Sequence, residues 1–128
     1  MQFLLDSHTL IWFFLGDPRF SDRVRVLIED ENNEKLISIA SVWELSIKQS
    51  IGKLTLGLPI KTFIEQQLSM NDFNLLNITL EHIDVITKLP LHHRDPFDRL
   101  LIAQAIIEDI PIASADSVFN AYNVQRIW

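Results

Sequence analysis

The sequence predicts an α/β fold, a three-layer sandwich with a central parallel sheet of about five short strands flanked by helices. Two observations predict it. Short apolar runs alternate with helical stretches along the whole chain, which is the order a parallel sheet with helical crossovers requires. The chain is also free of repeats, low-complexity tracts and linkers, so its 128 residues are expected to form a single domain, 1–128, with one core.

The elements follow in order. Phe3-Leu4-Leu5 is the first strand. Ser7 to Leu15 has the apolar density of a buried helix and ends near Gly16-Asp17-Pro18. Ser21 caps a helix to about Asp30, with Val24, Leu27 and Ile28 as its apolar stripe. After a polar loop, Leu36 to Ile39 reads as the second strand. Ser41 opens a helix through about Ser50, and Gly52 lies where a helix stop is expected. Pro59 falls in the first turn of the next helix, which runs to about Met70. Leu75 to Ile78 is the third strand, and Thr79 caps a helix reaching Leu89. Asp95-Pro96 is an N-cap with proline at the first helical position, opening a largely apolar helix to about Asp109. Ile112 to Ala115 is the fourth strand, Ser117 to Tyr122 a helical turn, and Val124 to Trp128 a closing strand.

Composition narrows the function classes. Hydrophobic residues make up 48% and charged residues 22%, which fits a globular chain. The absence of cysteine removes disulfides, thiolate metal sites and cysteine nucleophiles, and fits a reducing cytoplasm. The apolar start carries Asp6 and His8 and lacks a basic leader region, so it reads as strand and helix, not as a signal peptide. No apolar run is long enough to span a bilayer. A net charge of −6 argues against broad charge-driven binding of nucleic acid, but not against a nuclease whose acids a cation neutralises. Three glycines, with no GxSxG, P-loop or GxGxxG, leave little room for a phosphate cradle. No HExxH or similar pairing supports zinc.

Four acids stand out: Asp6, Glu44, Asp98 and Asp116. Three follow strands and one opens a helix, so all fall on the carboxyl edge of the expected sheet, where ligands of open α/β sheets bind. Each also has a structural explanation. Asp6 and Asp116 can cap the turns that follow them. Glu44, three residues after Ser41, completes a capping box. Asp95 and Asp98 both suit the N-terminus of a helix. Independent structural roles do not require all four on one edge, whereas a pocket for a hard cation such as Mg²⁺ or Mn²⁺ does. Such a pocket suggests hydrolysis of phosphodiesters. Asp95 is a secondary candidate, since it already caps a helix. Ser7, Ser114 and Arg99 are candidates to orient the acids. Lys48, Lys53, Arg94 and Arg99 are candidates for a phosphate track. His92 and His93 are placed to touch RNA or tune the site, whereas His8 and His82 read as satisfied helix residues. Trp12, Phe13, Phe14 and Trp43 read as core, or as the cover of a partner-binding groove.

The blocks FLLDSHTLIWFF, SIASVWELSIKQSIGKL, HHRDPFDRLLIAQA and IASADSVFNAYNVQRIW together resemble the PIN domain family, specifically its VapC-like toxins. The resemblance covers essentially the whole chain. It implies a PIN-like sandwich, an acidic pocket binding Mg²⁺ or Mn²⁺, and endoribonuclease activity. The family's acids fall on Asp6, Glu44, Asp98 and Asp116. It further implies a homodimer and a small antitoxin whose tail enters the active-site groove. The leading expectation is therefore a metal-dependent ribonuclease of a bacterial toxin–antitoxin pair. A catalytically inactive PIN-fold binding module is the alternative. A phospho-receiver domain fits poorly, because Ser7 follows Asp6 and no lysine follows Lys88.

Overall fold

In the computed structural model, which describes residues 1–128, β1 (Gln2–Leu5) runs through the middle of the molecule. Phe3, Leu4 and Leu5 are all fully buried. Phe3 and Leu5 face one core cluster, with Leu10, Phe20 and Val24. Leu4 faces the other, with Leu101, Ile102 and Phe119. A strand covered on both faces needs an unbroken apolar run instead of alternation, and FLL supplies it.

Asp6 caps α1 (Ser7–Leu15), which closes at Gly16 in the left-handed region, φ 65°. Ser21 caps α2 (Asp22–Glu29) by accepting from the Val24 amide. Next come β2 (Glu34–Ser38), α3 (Ile39–Ser50), α4 (Ile60–Asn71), β3 (Phe73–Leu76) and α5 (Leu80–Ile86). α6 (Pro96–Glu108), β4 (Ile112–Ala113), a 3-10 turn (Ser117–Ala121) and β5 (Arg126–Ile127) complete the chain. The sheet is five-stranded, in the order β3-β2-β1-β4-β5, and every pairing is parallel. α1 and α2 cover one face and α6 the other, giving the expected three layers. The chain winds outward from β1 through β2 and β3, then crosses to β4 and β5. The winding therefore reverses between β1 and β4, and the crevice beyond the carboxyl ends of those two strands is the place for a ligand.

Several boundaries differ from expectation. The helix expected to open at Ser41 begins at Ile39 and is capped by Ser38, whose hydroxyl accepts from the Ala40 amide at 3.0 Å. The Ser41–Glu44 capping box is therefore absent: Ser41 lies inside the helix, and Glu44 sits in its second turn. β2 and β3 each start two residues early, because Glu34-Lys35 and Phe73-Asn74 join the ladder although they break the apolar runs. The helix after Thr79 stops at Ile86, short of Leu89. Pro59 occupies the N-cap of α4 and not its first turn. Trp43, expected in the core, is 58% exposed and stacks edge-on against Phe97 at 5.0 Å.

Candidate active site

Three strand-end or helix-start features bring the acids together. Asp6 leaves β1 and is 5% exposed. Its Oδ1 accepts from the Thr9 amide at 2.7 Å, and its Oδ2 accepts a short hydrogen bond from the Ser114 hydroxyl. That hydroxyl in turn accepts from the Asp116 amide at 3.0 Å. Asp6 and Asp116 are thus joined through one serine across the β1–β4 switch. Asp116 caps the 3-10 turn through Val118 at 2.9 Å.

The N-terminus of α6 supplies the next pair. Asp95 is the cap, with Oδ1 accepting from the amides of Phe97 at 2.8 Å and Asp98 at 3.1 Å. Asp98, three residues on, is thereby left free of any capping role. Glu44 approaches from α3. Carboxylate oxygens of Glu44, Asp95 and Asp98 lie within 4.8 Å of one another. Donor atoms of His93, Asp98 and Asp116 form a second such group, so Asp98 belongs to both. Asp6, His8, Trp12, Asp98, Ala115 and Asp116 line a pocket of about 280 Å³.

The electrostatics are those of crowded like charges. Burial pushes the Asp98 carboxyl up to about 8, and the neighbouring Asp95, Asp6, Glu44 and Asp116 add to the effect. Glu44 is 9% exposed, and its Oε1 has no hydrogen-bond partner. Its only cation is Lys48, one helical turn on, at 3.6 Å. A buried carboxylate oxygen left without a donor is costly unless a cation meets it. The donor set is almost entirely carboxylate oxygen, the chemistry of a hard divalent ion. The residues present therefore fit such an ion.

The remaining candidates separate. Ser114 reaches the acids. Ser7 is buried beside Asp6 in sequence, with its Oγ unpartnered. Arg99, considered for orienting acids or binding phosphate, does neither. Its guanidinium is spent on the carbonyls of Ile86 at 3.1 Å, Leu89 at 3.4 Å, Pro90 at 3.0 Å and His93 at 3.2 Å. The helix has ended there, and the fork caps its orphaned carbonyls and the loop behind them. Arg94 is exposed. Lys48 and Lys53 do line one cleft, about 460 Å³, together with Arg19, His8 and Trp12. His8 and Trp12 belong to this cleft and to the acidic pocket alike. The sequence ties neither to the acids, because His8 reads as a satisfied helix residue and Trp12 as core or as the cover of a partner-binding groove.

His93 stands closer to the acids than its sequence implies. Its Nε2 lies 3.0 Å from Asp98 Oδ2 and 3.0 Å from Asp116 Oδ2. The one signal in the chain is its place two residues before Asp95 in HHRDPFD.

The fold is similar to that of VapBC2 from Rickettsia felis bound to a DNA fragment from their promoter, with a TM-score of 0.76 at 15% identity, covering 100% of this chain and 99% of that one. It is similar to FitAcB from Neisseria gonorrhoeae, with a TM-score of 0.66 at 18% identity, covering 98% and 96%. It is also similar to a toxin–antitoxin complex from Klebsiella pneumoniae, with a TM-score of 0.65 at 15% identity, covering 98% and 95%. No curated protein matches the sequence. The family model of the PIN domain matches residues 3–124, nearly the whole of the sheet and all of the acids, and the chain belongs to the PIN domain family.

Proposed function

We propose that residues 1–128 form a single PIN domain that hydrolyses RNA phosphodiester bonds as a metal-dependent endoribonuclease. Asp6, Glu44, Asp98 and Asp116 hold Mg²⁺ or Mn²⁺ on this reading, and Asp95 is a secondary ligand. The observation that supports it most is Asp98, which stands among four other carboxylates with its own carboxyl raised to about 8. Burial and that crowding disfavour the ionised form, which a bound cation would stabilise in place of the proton.

The chain's own residues would divide the work. Thr9 and Ser114 hold Asp6 in one orientation by occupying both its oxygens. The Val118 amide does the same for one oxygen of Asp116. Asp98 and Glu44 keep oxygens free of backbone donors and face the space between them. When bound, a divalent cation supplies Lewis-acid polarisation of the phosphate and a more acidic water. Lys48, Lys53 and Arg19 offer positive charge to the flanking phosphates in the adjoining cleft.

The fold neighbours support a place in a toxin–antitoxin pair, one of them being such a complex. The partner is then a small antitoxin, the assembly a homodimer and the compartment the cytoplasm. No helix is long and apolar enough to cross a membrane.

The test is cleavage of total cellular RNA by antitoxin-free protein with Mg²⁺ or Mn²⁺, with a chelator, and with Asp6→Asn. Discrete products are expected only with the cation, and at least about tenfold fewer in the variant. Absence of both products and cation binding would leave a PIN-fold binding module in place of an enzyme.

A further inference from the structure

His93 is fixed by every polar atom it has. Its backbone N–H donates to the Tyr122 hydroxyl at 2.7 Å, and its carbonyl accepts from Arg99 at 3.2 Å. Its ring rests on Phe119, centroids 5.8 Å apart. Its Nδ1 accepts from the Asp95 amide at 3.3 Å. A ring nitrogen that accepts carries no proton, so in the neutral imidazole the proton is on Nε2. That nitrogen is the one lying 3.0 Å from both Asp98 and Asp116.

We infer that His93 is a positioning residue: its Nε2–H donates to Asp116 and lies 3.0 Å from Asp98, so that it holds the two acids in place for a divalent cation and does not itself ligate that cation. This rests on the cation-dependent reading of the site given above. The alternative is a nitrogen ligand, since the donor atoms of His93, Asp98 and Asp116 are mutually within 4.8 Å. The hydrogen-bond polarity decides against it. A ligating histidine offers a bare nitrogen to the metal and donates a proton from the other one, to a carboxylate, carbonyl or water. Here the other nitrogen faces an N–H, so a bare Nε2 would set the Nδ1 proton against the Asp95 amide proton. Tyr122 and Arg99 fix the backbone that carries the ring, and Phe119 packs against the ring itself. Removing the imidazole takes away the donor that Asp116 has and the contact that Asp98 shares with it, and the two acids are expected to separate.

The experiment needs no RNA. Nitrogen-15 NMR of the metal-free chain reads the tautomer of His93. Electron paramagnetic resonance then follows Mn²⁺ titration of the unaltered chain, His93→Gln and His93→Ala, and its pulsed form detects any nitrogen bound to the ion. Three results are expected: an Nε2–H tautomer, Mn²⁺ without a coordinated ring nitrogen, and about tenfold weaker binding or more in His93→Ala. His93→Gln, whose amide donates from nearly the same point, is expected to recover most of that loss. An Nδ1–H tautomer, nitrogen coupling at Mn²⁺, or unchanged affinity in His93→Ala would each overturn the role while leaving the cation site standing. No Mn²⁺ binding by the unaltered chain would instead overturn the cation-dependent reading, and the role with it. The tautomer and the spectrum of the unaltered chain decide the matter even where His93→Ala does not fold.

Discussion

Asp98 carries the clearest consequence of a single residue. Its carboxyl lies at about 8 in the folded chain against an ordinary 3.8, first through burial and then through Asp95, Asp6, Glu44 and Asp116. Between those values the folded chain holds a proton that the unfolded chain has released. Stability then falls as pH rises, because the unfolded state binds fewer protons. The contribution of Asp98 is thus full below about pH 4 and is lost as pH climbs through about 8. Metal-free protein is expected to melt at a lower temperature at about pH 8 than at about pH 6, and Asp98→Asn to flatten that slope. If Asp98 is a ligand as proposed, added Mn²⁺ should raise the melting temperature more at the higher pH, because binding to the ionised carboxylate expels the proton. Calorimetry in chelator and in Mn²⁺ measures both slopes. An Asp98→Asn variant that keeps the original slope would assign the effect to another group.

At the scale of elements, the segment from α5 to α6 shows how a cation can serve geometry and not substrate. Arg99 ties the end of α5 and the following loop to the first turns of α6, and the same loop delivers His93 to the acids. Lysine keeps the charge but loses the fork, so Arg99→Lys is expected to cost about 2 kcal/mol. Its signature is faster hydrogen exchange at the His93 amide with the sheet core unchanged. Full protection at His93 in that variant would assign the loop's order to Tyr122 alone.

The same segment marks the limit of what the amino-acid sequence makes legible. β1, α1 and α6 can be read because their apolar runs and caps agree: FLL then Asp6, and Asp95-Pro96 ahead of an apolar helix. The starts of β2 and β3 cannot, since Lys35 and Asn74 pair in the ladder while breaking the run. Ser38 and Ser41 are chemically equal caps in sequence, and tertiary contact chooses between them. Ser38 also donates to the buried Gln104 at 2.6 Å, a residue sixty-six positions away. The convergence of the acids is legible because strand ends of a parallel sheet share an edge. The roles of Arg99 and His93 are not, because hydrogen bonds to a loop's carbonyls leave no periodic trace.

At the scale of the whole molecule, the strand order sets the charge distribution. Asp6 and Asp116 lie on either side of the β1–β4 reversal, and α3 and α6 bring Glu44 and Asp98 over it. The chain thus gathers acid at its centre while carrying −6 overall, which repels a polyanion. On the proposed reading, one bound divalent ion would bring that to about −4, and would do so at the edge where the acids meet. Positive charge adjoins that edge in the cleft holding Arg19, Lys48 and Lys53, which shares His8 and Trp12 with the acidic pocket. Arg19 is already paired with Asp17 at 2.7 Å, and Lys48 with Glu44 at 3.6 Å. Lys53, in no ion pair, is the cleaner probe. If single-stranded RNA follows the cleft, Lys53→Glu should raise KM several-fold with little change in kcat, since it acts away from the reacting atoms. The salt dependence of binding should also weaken by about 0.7 in log–log slope for each phosphate that the chain no longer neutralises. Cleavage of one short single-stranded RNA across a salt series measures both quantities. A slope and KM equal to those of the unaltered chain would route the strand over another face, with the exposed Arg94 the next place to look.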